Sequence, residues 1–273
     1  MKKFLKIIGV LIGIPLMLYL IFIISTIIIG SYGMKHEISK IIVLVVYGAA
    51  AITELICIII LFIIYSRNDE GLIKRCSFKK FEISKLPTIL CLTLGYYMLE
   101  LGSVYLVGGI SKIHHTKTLE FISLIHQSFL EFIGIISLIT IFEEIIFRGV
   151  IFVTLKRNLN VIAALILQAL VFSIANFNMN INLVFSMRNI SIVSILNVVF
   201  LGIILGVVFL YTESLLGSII CHMIINLLGI LIITPTILYS YYSPIVIAVI
   251  GVILLALSLF LYKKNKKLSV NHN

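Results

Sequence analysis

Charged residues are scarce in this chain of 273 residues. Only 12% of them are Asp, Glu, Lys or Arg, whereas 61% are hydrophobic and the mean hydropathy is +1.22. A soluble domain carries about 25% charged residues, so about half of the expected charge is missing. Because water could not solvate the resulting surface, the composition excludes a soluble protein and predicts one embedded in lipid.

Paired cysteines and a nucleic-acid-binding surface are also missing. The four cysteines are Cys57, Cys76, Cys91 and Cys221. None belongs to a CxxC pair, so we interpret them as apolar thiols rather than as zinc ligands or disulfides. The net charge of +10 comes from short basic clusters between apolar runs, without a basic face that interleaves aromatic residues. This distribution excludes nucleic acid as a partner and is typical of anchors at a lipid bilayer.

Apolar runs long enough to cross a bilayer, which takes ~20 residues, recur along the whole chain. The candidate spans are 4–30, 40–65, 86–109, 133–155, 159–178, 190–211, 214–235 and 244–262. The apolar run 121–153 is too long for one span, so we treat 119–132 as a separate interfacial or tilted piece with a break near Gly134. The first run is too long for a signal peptide and no cleavage site follows it, so we expect a retained helix. The predicted fold is an all-α, polytopic transmembrane helix bundle of about eight spans.

Lysine and arginine are distributed unevenly over the two sides of these spans. Fifteen of the 21 fall on one side and five on the other, and Arg148 falls inside a span. Because cytoplasmic loops are enriched in Lys and Arg, we predict that both termini and the loop 66–85 are cytoplasmic. The excess of Ile, Lys and Asn is typical of an AT-rich bacterial genome. We therefore expect a multi-pass protein of a bacterial plasma membrane.

Two glutamates and an arginine lie in the middle of the fourth predicted span. Glu144 and Arg148 are four residues apart, so on a helix they share a face and can form an ion pair. Glu143 lies about 100° around the helix and is not neutralised by that pair. Charges inside a span are costly and usually mark function, and a buried carboxylate suits a general base. The alternative, a helix that ends here in water, conflicts with the apolar residues 150–153.

Two further polar groups lie at comparable depth in later spans. His222 and Asn226 share one face of the seventh span, where the alternative role is hydrogen bonding between helices. Asn176 lies near the outer end of the fifth span, and because more asparagines follow, an outer loop is the alternative there. At 1.5 Å per residue, Glu143, Asn176 and His222 lie about 20, 24 and 14 Å from the cytoplasmic turns. We expect them to meet near the midplane.

Taken in order, these motifs resemble the CAAX-protease and bacteriocin-processing (CPBP, Abi-like) family of intramembrane proteases, which are relatives of the Ras-converting enzyme. The first family motif, EExxxR, is matched at 143–148, and the third, HxxxN, at 222–226. Between them, the glycines of 202–206 and the Thr-x-Ser-Leu of 212–215 are also similar to the family. The resemblance covers about residues 133–230.

The resemblance implies an intramembrane endopeptidase with a catalytic core at 119–235. The N-terminal helices (1–118) would precede this core, and a last helix with a basic tail (236–273) would follow it. In the family's mechanism, Glu143 would be the general base that activates water. The Glu144–Arg148 pair would orient its helix. His222 and Asn226 would stabilise the oxyanion.

The second family motif, FxxxH, is only half present. Phe172 is in place and, with Phe147, is assigned by the resemblance to substrate binding, but the histidine position is Asn176. An amide can position a water molecule but cannot take its proton. We therefore expect Asn176 to act among the catalytic residues in this reduced role.

The side chains of the three motifs that could bind a metal ion are few, which favours a reaction without a cofactor. Zinc sites draw on three or four His, Cys or carboxylate ligands, and Glu143 and His222 would be the ligands if a divalent metal such as zinc binds. The expected substrate is a hydrophobic or leader peptide, or a protein segment, in the membrane. One alternative is a catalytically impaired immunity or accessory membrane protein, which the missing histidine motivates. Another, a carrier of protons or small solutes, is disfavoured because no inverted repeat is present.

Overall fold

The computed structural model describes residues 54–60, 77–106, 129–184, 192–231 and 244–271, and a few isolated positions before residue 53. Every regular element among these residues is helical, and the described part contains no strand. This result confirms the all-α prediction. Most of the first predicted span and of the loop 66–85 lies outside the described residues.

Helices cover nearly all of the described part after residue 82. The α-helices are α1 (Leu86–Leu106), α2 (Phe129–Glu144), α3 (Val153–Asn158), α4 (Val161–Val184), α5 (Ile192–Thr212), α6 (Leu215–Leu231) and α7 (Pro244–Asn271). A 3₁₀ turn (Ile83–Lys85) precedes α1, and a π-helix (Ile145–Phe152) joins α2 to α3. By length and composition, two stretches of the described residues could cross a membrane, Ile195–Thr212 and Pro244–Asn265.

One local prediction about these helices is wrong, and so is one of the alternatives. Helix α2 continues through Gly134, where we expected a break. A glycine in a helix costs only about 1 kcal/mol relative to alanine, which the apolar residues on both sides can offset. Helix α4 continues to Val184, so the asparagines after Asn176 are helical rather than part of an outer loop. The backbone bonds of a long helix thus override the turn preference of asparagine.

The chain divides into two compact units. Unit 1 comprises residues 1–77 and 114–189, and unit 2 comprises residues 78–113 and 190–273. Unit 1 therefore contains helices α2 to α4 and the helical residues 54–60. Unit 2 contains α1, α5, α6 and α7. The boundaries predicted at residues 118 and 235 stay a prediction.

In unit 2, helices α1 and α7 approach each other closely through glycine. A Cβ atom added to Gly251 would lie 2.6 Å from the backbone nitrogen of Leu99. One added to Gly102 would lie 2.8 Å from the Cβ atom of Ala248. Small residues that bring helix backbones together are typical of membrane helices, where lipid weakens the hydrophobic drive for association.

A tight turn connects α5 to α6 and determines where α6 begins. Thr212 Oγ1 donates to the carbonyl of Val208 at 2.8 Å, and Glu213 follows with a positive φ of 52°. The backbone N–H of Leu216 donates to Ser214 Oγ at 3.2 Å, which caps the first turn of α6. Ser214 Oγ also donates to the carbonyl of Lys79. The Thr-x-Ser-Leu sequence is thus the turn that positions α6.

Candidate active site

The first motif lies where α2 widens into a π-helix. Glu143 and Glu144 are the last residues of α2, and Arg148 lies within Ile145–Phe152. In a π-helix the backbone bonds skip one residue more than in an α-helix, and such segments are often found at functional sites. Residues 146–152 are all buried, so close packing surrounds the widened turn. The helical pattern of the sequence predicts an ordinary α-helix here and carries no signal for the π-helix.

The predicted ion pair within this motif is present. Arg148 Nη1 donates to Glu144 Oε1 at 2.7 Å, and both side chains are 0% exposed. The Arg148 guanidinium also lies 4.5 Å from the ring centroid of Phe172, a cation–π contact that favours the charged form. Since removal of one member of a buried pair leaves a buried charge behind, each partner depends on the other.

The two predicted substrate-binding phenylalanines pack against each other. The rings of Phe147 and Phe172 meet edge to face, with centroids 5.0 Å apart. Both side chains are buried, and Phe172 connects the π-helix to α4. The structure thus gives these rings a packing role, and their contact with a substrate stays a prediction.

Glu143 is buried in the same unit as a second acidic residue, Glu54, which belongs to none of the three motifs. Glu143 is 5% exposed and Glu54 is 2% exposed. Both belong to unit 1, and the two carboxyl groups interact electrostatically. The sequence did contain a signal for Glu54, because it is an acidic residue inside a predicted span. It has no partner at helical spacing, which is why it was overlooked.

Asn176 bonds to the backbone of its own helix. Its Nδ2 donates to the carbonyl of Phe172 at 3.1 Å, and the side chain is half-buried. Asn176 therefore follows Phe172 by one turn of α4, as the FxxxH spacing requires. Nothing in this contact provides the proton acceptor that a histidine would supply.

His222 and Asn226 lie on α6 in unit 2, and two contacts orient that helix. Thr93 Oγ1 and Cys221 Sγ share a hydrogen bond of 3.0 Å, and the Tyr97 hydroxyl donates to the carbonyl of Leu228 at 3.2 Å. Positions 221 and 228 share the face of α6 toward α1. The face of 222 and 226 lies about 100–140° around the helix, at 100° per residue. His222 is 3% exposed, and Asn226 is half-buried.

The predicted site residues fall into two sets. One set lies in unit 1 and consists of Glu143, Glu144, Phe147, Arg148, Phe172 and Asn176. The other set lies in unit 2 and consists of His222 and Asn226. The meeting of the two sets stays a prediction. The catalytic roles assigned to these residues also stay predictions.

The described residues do not fit a zinc site. Within them, no three His, Cys, Asp or Glu side chains are grouped as a metal ion would need. Glu54 and Glu143 provide only two carboxyl groups. No step of the reaction is therefore derived through a metal.

Comparison with known families covers the stretch that holds both sets. Residues 125–228 match the family described as type II CAAX prenyl endopeptidase Rce1-like. Over these residues the chain is similar to the CAAX protease family. The match confirms the resemblance inferred at about 133–230. No curated protein sequence and no solved structure is significantly similar to the chain.

The CAAX protease region, as we call residues 125–228, contains all three motif positions. It includes α2, the π-helix, α3 and α4 in unit 1, and α5 and most of α6 in unit 2. The family consists of membrane-embedded proteases, in agreement with the apolar helices of this chain. Glu54 lies outside the region.

Proposed function

We propose that the chain is an intramembrane endopeptidase that hydrolyses a peptide bond in a hydrophobic or leader peptide. One observation carries the proposal: the CAAX protease region keeps its EExxxR motif buried, with Glu144 and Arg148 paired and Glu143 beside them. A chain that had lost the reaction would have little reason to retain three buried ionisable groups there, because each is costly in lipid.

In the proposed reaction, Glu143 takes a proton from water while the water oxygen bonds to the peptide carbonyl carbon. His222 and Asn226 donate hydrogen bonds to the oxyanion. Glu143 then gives its proton to the leaving nitrogen as the C–N bond breaks. Glu144 and Arg148 keep the helix in place. Asn176 orients the water.

The proposed setting is a bacterial plasma membrane, with about eight spans, cytoplasmic termini and a catalytic core at 119–235. Three contacts in unit 2 support this topology. Lys79 Nζ lies 2.9 Å from Glu213 Oε2, Asn265 Nδ2 donates to the carbonyl of Ser84 at 3.1 Å, and the Lys85 Nζ lies over the Tyr211 ring. The loop before α1, the α5–α6 turn and the basic end of α7 thus share one end of unit 2, as the charge distribution predicts.

Glu143→Gln tests the proposed base, since glutamine keeps the shape but cannot take a proton. The purified protein in liposomes would receive two quenched fluorescent peptides, one that ends in a farnesylated CAAX sequence and the same peptide without the prenyl group. Peptides in the membrane and medium of the host would be compared in parallel. We expect cleavage to fall by about 100-fold or more.

Glu100→Gln is the matched control, because Glu100 is a glutamate within helix α1 of unit 2. It should retain cleavage. Full activity of Glu143→Gln would exclude Glu143 as the base.

His222→Ala tests the proposed oxyanion donor. It should lower kcat by about 100-fold, as removal of an oxyanion donor does.

The second candidate is a catalytically impaired family member that acts as an immunity or accessory membrane protein. The amide at position 176 favours it, since Asn176 donates to its own helix and replaces the family's histidine. In that case the host phenotype survives the double variant Glu143→Gln, His222→Ala. Loss of the phenotype in a stably produced double variant would exclude this function.

A further inference from the structure

Helix α6, which contains His222, is hydrogen-bonded to α1 at two points along its length. Thr93 Oγ1 and Cys221 Sγ lie 3.0 Å apart, and the Tyr97 hydroxyl donates to the carbonyl of Leu228 at 3.2 Å. At 1.5 Å per residue, the two points on α6 are separated by about 10 Å. Two contacts at different heights oppose both rotation and tilt of a helix.

Helix α1, on the other side of these contacts, is itself held in place. Gly251 brings α7 against α1, since a Cβ atom added there would lie 2.6 Å from the backbone nitrogen of Leu99. In lipid, helices associate through close packing and interhelical hydrogen bonds rather than through the hydrophobic effect. Because hydrogen bonds are directional, the bonds from α1 can fix how α6 is rotated about its axis.

The hydrogen atoms of Thr93 and Cys221 determine which side chain donates. A threonine hydroxyl has one hydrogen and two lone pairs. Thr93 Oγ1 donates its hydrogen to the carbonyl of Ile89 in its own helix at 2.7 Å, a normal length for such a bond. The Cys221 thiol must therefore donate to Thr93 Oγ1. Both side chains are fully buried, and a thiol in apolar surroundings stays protonated, as this bond requires.

We propose that Thr93 is a positioning residue for the oxyanion donor: the Cys221 thiol donates to the Thr93 hydroxyl, and this bond fixes the rotation of α6 that aims His222. His222 follows Cys221 directly and lies about 100° around the helix, so a rotation of α6 moves both side chains together. In this role Thr93 acts through Cys221 and need not touch the substrate. The inference rests on the proposed peptidase function.

A small rotation of α6 is enough to misplace the imidazole of His222. A side-chain group about 6 Å from the helix axis moves by about 1 Å when the helix rotates by about 10°. A displacement of about 1 Å can lower a rate by about 100-fold. A single hydrogen bond that limits the rotation can therefore affect the reaction, although it contributes little to stability.

A double-mutant cycle with His222 tests this role in the cleavage assay. Thr93→Val replaces the hydroxyl with a methyl group of similar size, so kcat should fall about tenfold while KM is unchanged. Because His222 is then already misaligned, His222→Ala should lower kcat by only about tenfold more, instead of about 100-fold. Thr93→Ser keeps the hydroxyl and should restore both values. A purely structural residue would leave the two effects independent.

Ser258→Ala is the matched control for the cycle. Ser258 is a buried residue of unit 2 on α7, and its hydroxyl donates to the carbonyl of Leu255 in its own helix at 2.7 Å. The control should keep kcat within about twofold of the wild type and leave the full effect of His222→Ala, as independent sites do.

Variants of Cys221 remove the same bond from the α6 side. Cys221→Ala has no donor and should reproduce the loss of kcat seen in Thr93→Val. Cys221→Ser keeps a donor at this position and should stay closer to the wild type. If Thr93→Val does not fold, as judged by thermal unfolding in detergent, the cycle of Cys221→Ala with His222→Ala decides.

Infrared spectra test the bond without any substrate. An S–H group that donates a hydrogen bond absorbs at a lower frequency than one that does not, in a region where other protein groups absorb weakly. The S–H band that disappears in Cys221→Ala belongs to this thiol. The band should move to higher frequency in Thr93→Val, return in Thr93→Ser and stay unchanged in Ser258→Ala.

The outcomes separate this inference from the proposed reaction. An unchanged S–H band in Thr93→Val, or independent effects of Thr93→Val and His222→Ala, would overturn the inference. If Glu143→Gln keeps full activity, the proposed base is wrong, and the band and the cycle still judge Thr93. If Glu143→Gln is inactive while Thr93→Val cleaves as the wild type does, the peptidase stands and the role of Thr93 falls.

Discussion

The described parts of the two units hold their helices together with different chemistry. In unit 1, Glu54, Glu143, Glu144 and Arg148 are all 5% exposed or less. In unit 2, the ion pair of Lys79 and Glu213 is at the surface, with side chains 56% and 73% exposed. Two buried hydroxyl groups of that unit, those of Thr93 and Thr212, bond to the backbone of their own helices.

This difference shows which unit contains the interactions that are costly to desolvate. Glycine contacts and hydroxyl bonds stabilise membrane helices with little desolvation, whereas a buried ion pair gives at best a small net gain. The described residues of unit 2 therefore show that the chain can build helix contacts without buried ion pairs. The buried charges of unit 1 lie in and beside the EExxxR motif, which is what a reaction centre requires and what packing alone does not.

Arg148→Met should have the largest effect on stability. It removes the partner of Glu144 and leaves a buried carboxylate, which costs about 3–5 kcal/mol. Arg157→Met is the matched control, because Arg157 is an exposed arginine at the end of α3. The free energy of unfolding, measured by denaturant titration in detergent, should fall for the first variant and stay within about 0.5 kcal/mol for the second.

Adding Glu144→Gln to Arg148→Met sharpens this result. The double variant has no charge left at the pair, so it should recover part of the lost stability. A double variant that is less stable than Arg148→Met would show that Glu144 stabilises unit 1 through contacts other than the ion pair.

Gly251→Ala should have the next largest effect and concerns unit 2. The new methyl group would lie 2.6 Å from the backbone nitrogen of Leu99, so α1 and α7 would have to separate. Overpacking of this kind costs about 1–3 kcal/mol. Gly134→Ala is the control, because nothing lies within 4 Å of that position, and it should be neutral or slightly stabilising. Equal losses in both variants would refute the close α1–α7 contact.

The sequence could predict the local interactions, which join residues close together in the chain. The Glu144–Arg148 pair depends only on helical spacing, so the sequence could predict it. The end of α5 at Thr212 was accessible from the apolar pattern, although the hydrogen bonds of the Thr-x-Ser-Leu turn were not predicted. The π-helix was not, because it depends on how residues 146–152 pack. The electrostatic interaction of Glu54 with Glu143 was missed because an interaction between residues far apart in the chain leaves no spacing pattern.

The glycines show the same distinction. Gly134 was expected to interrupt a helix and does not. Gly251 drew no attention, yet it lies against the backbone of α1. A glycine's role depends on what faces it, and the sequence does not contain that information.

Asn176→His tests the departure from the family in unit 1. The histidine restores a group that can take a proton, so we expect cleavage to rise by up to about tenfold or to stay unchanged. Asn176→Ala is the control, since it removes the amide bond to the carbonyl of Phe172 without adding a proton acceptor. A large loss of cleavage in Asn176→His, with normal folding, would show that the amide has a role of its own.

Lys79→Met should have the smallest effect and completes the comparison of the two ion pairs. Both side chains of the Lys79–Glu213 pair are more than half exposed, so solvent screens their attraction and the variant should lose less than about 1 kcal/mol. The backbone carbonyl of Lys79 still accepts from Ser214 in this variant. Ser214→Ala, which removes that bond and the cap of α6, should cost about 1 kcal/mol by comparison. A loss in Lys79→Met as large as that in Arg148→Met, insensitive to added salt, would mean that exposure does not distinguish the two pairs.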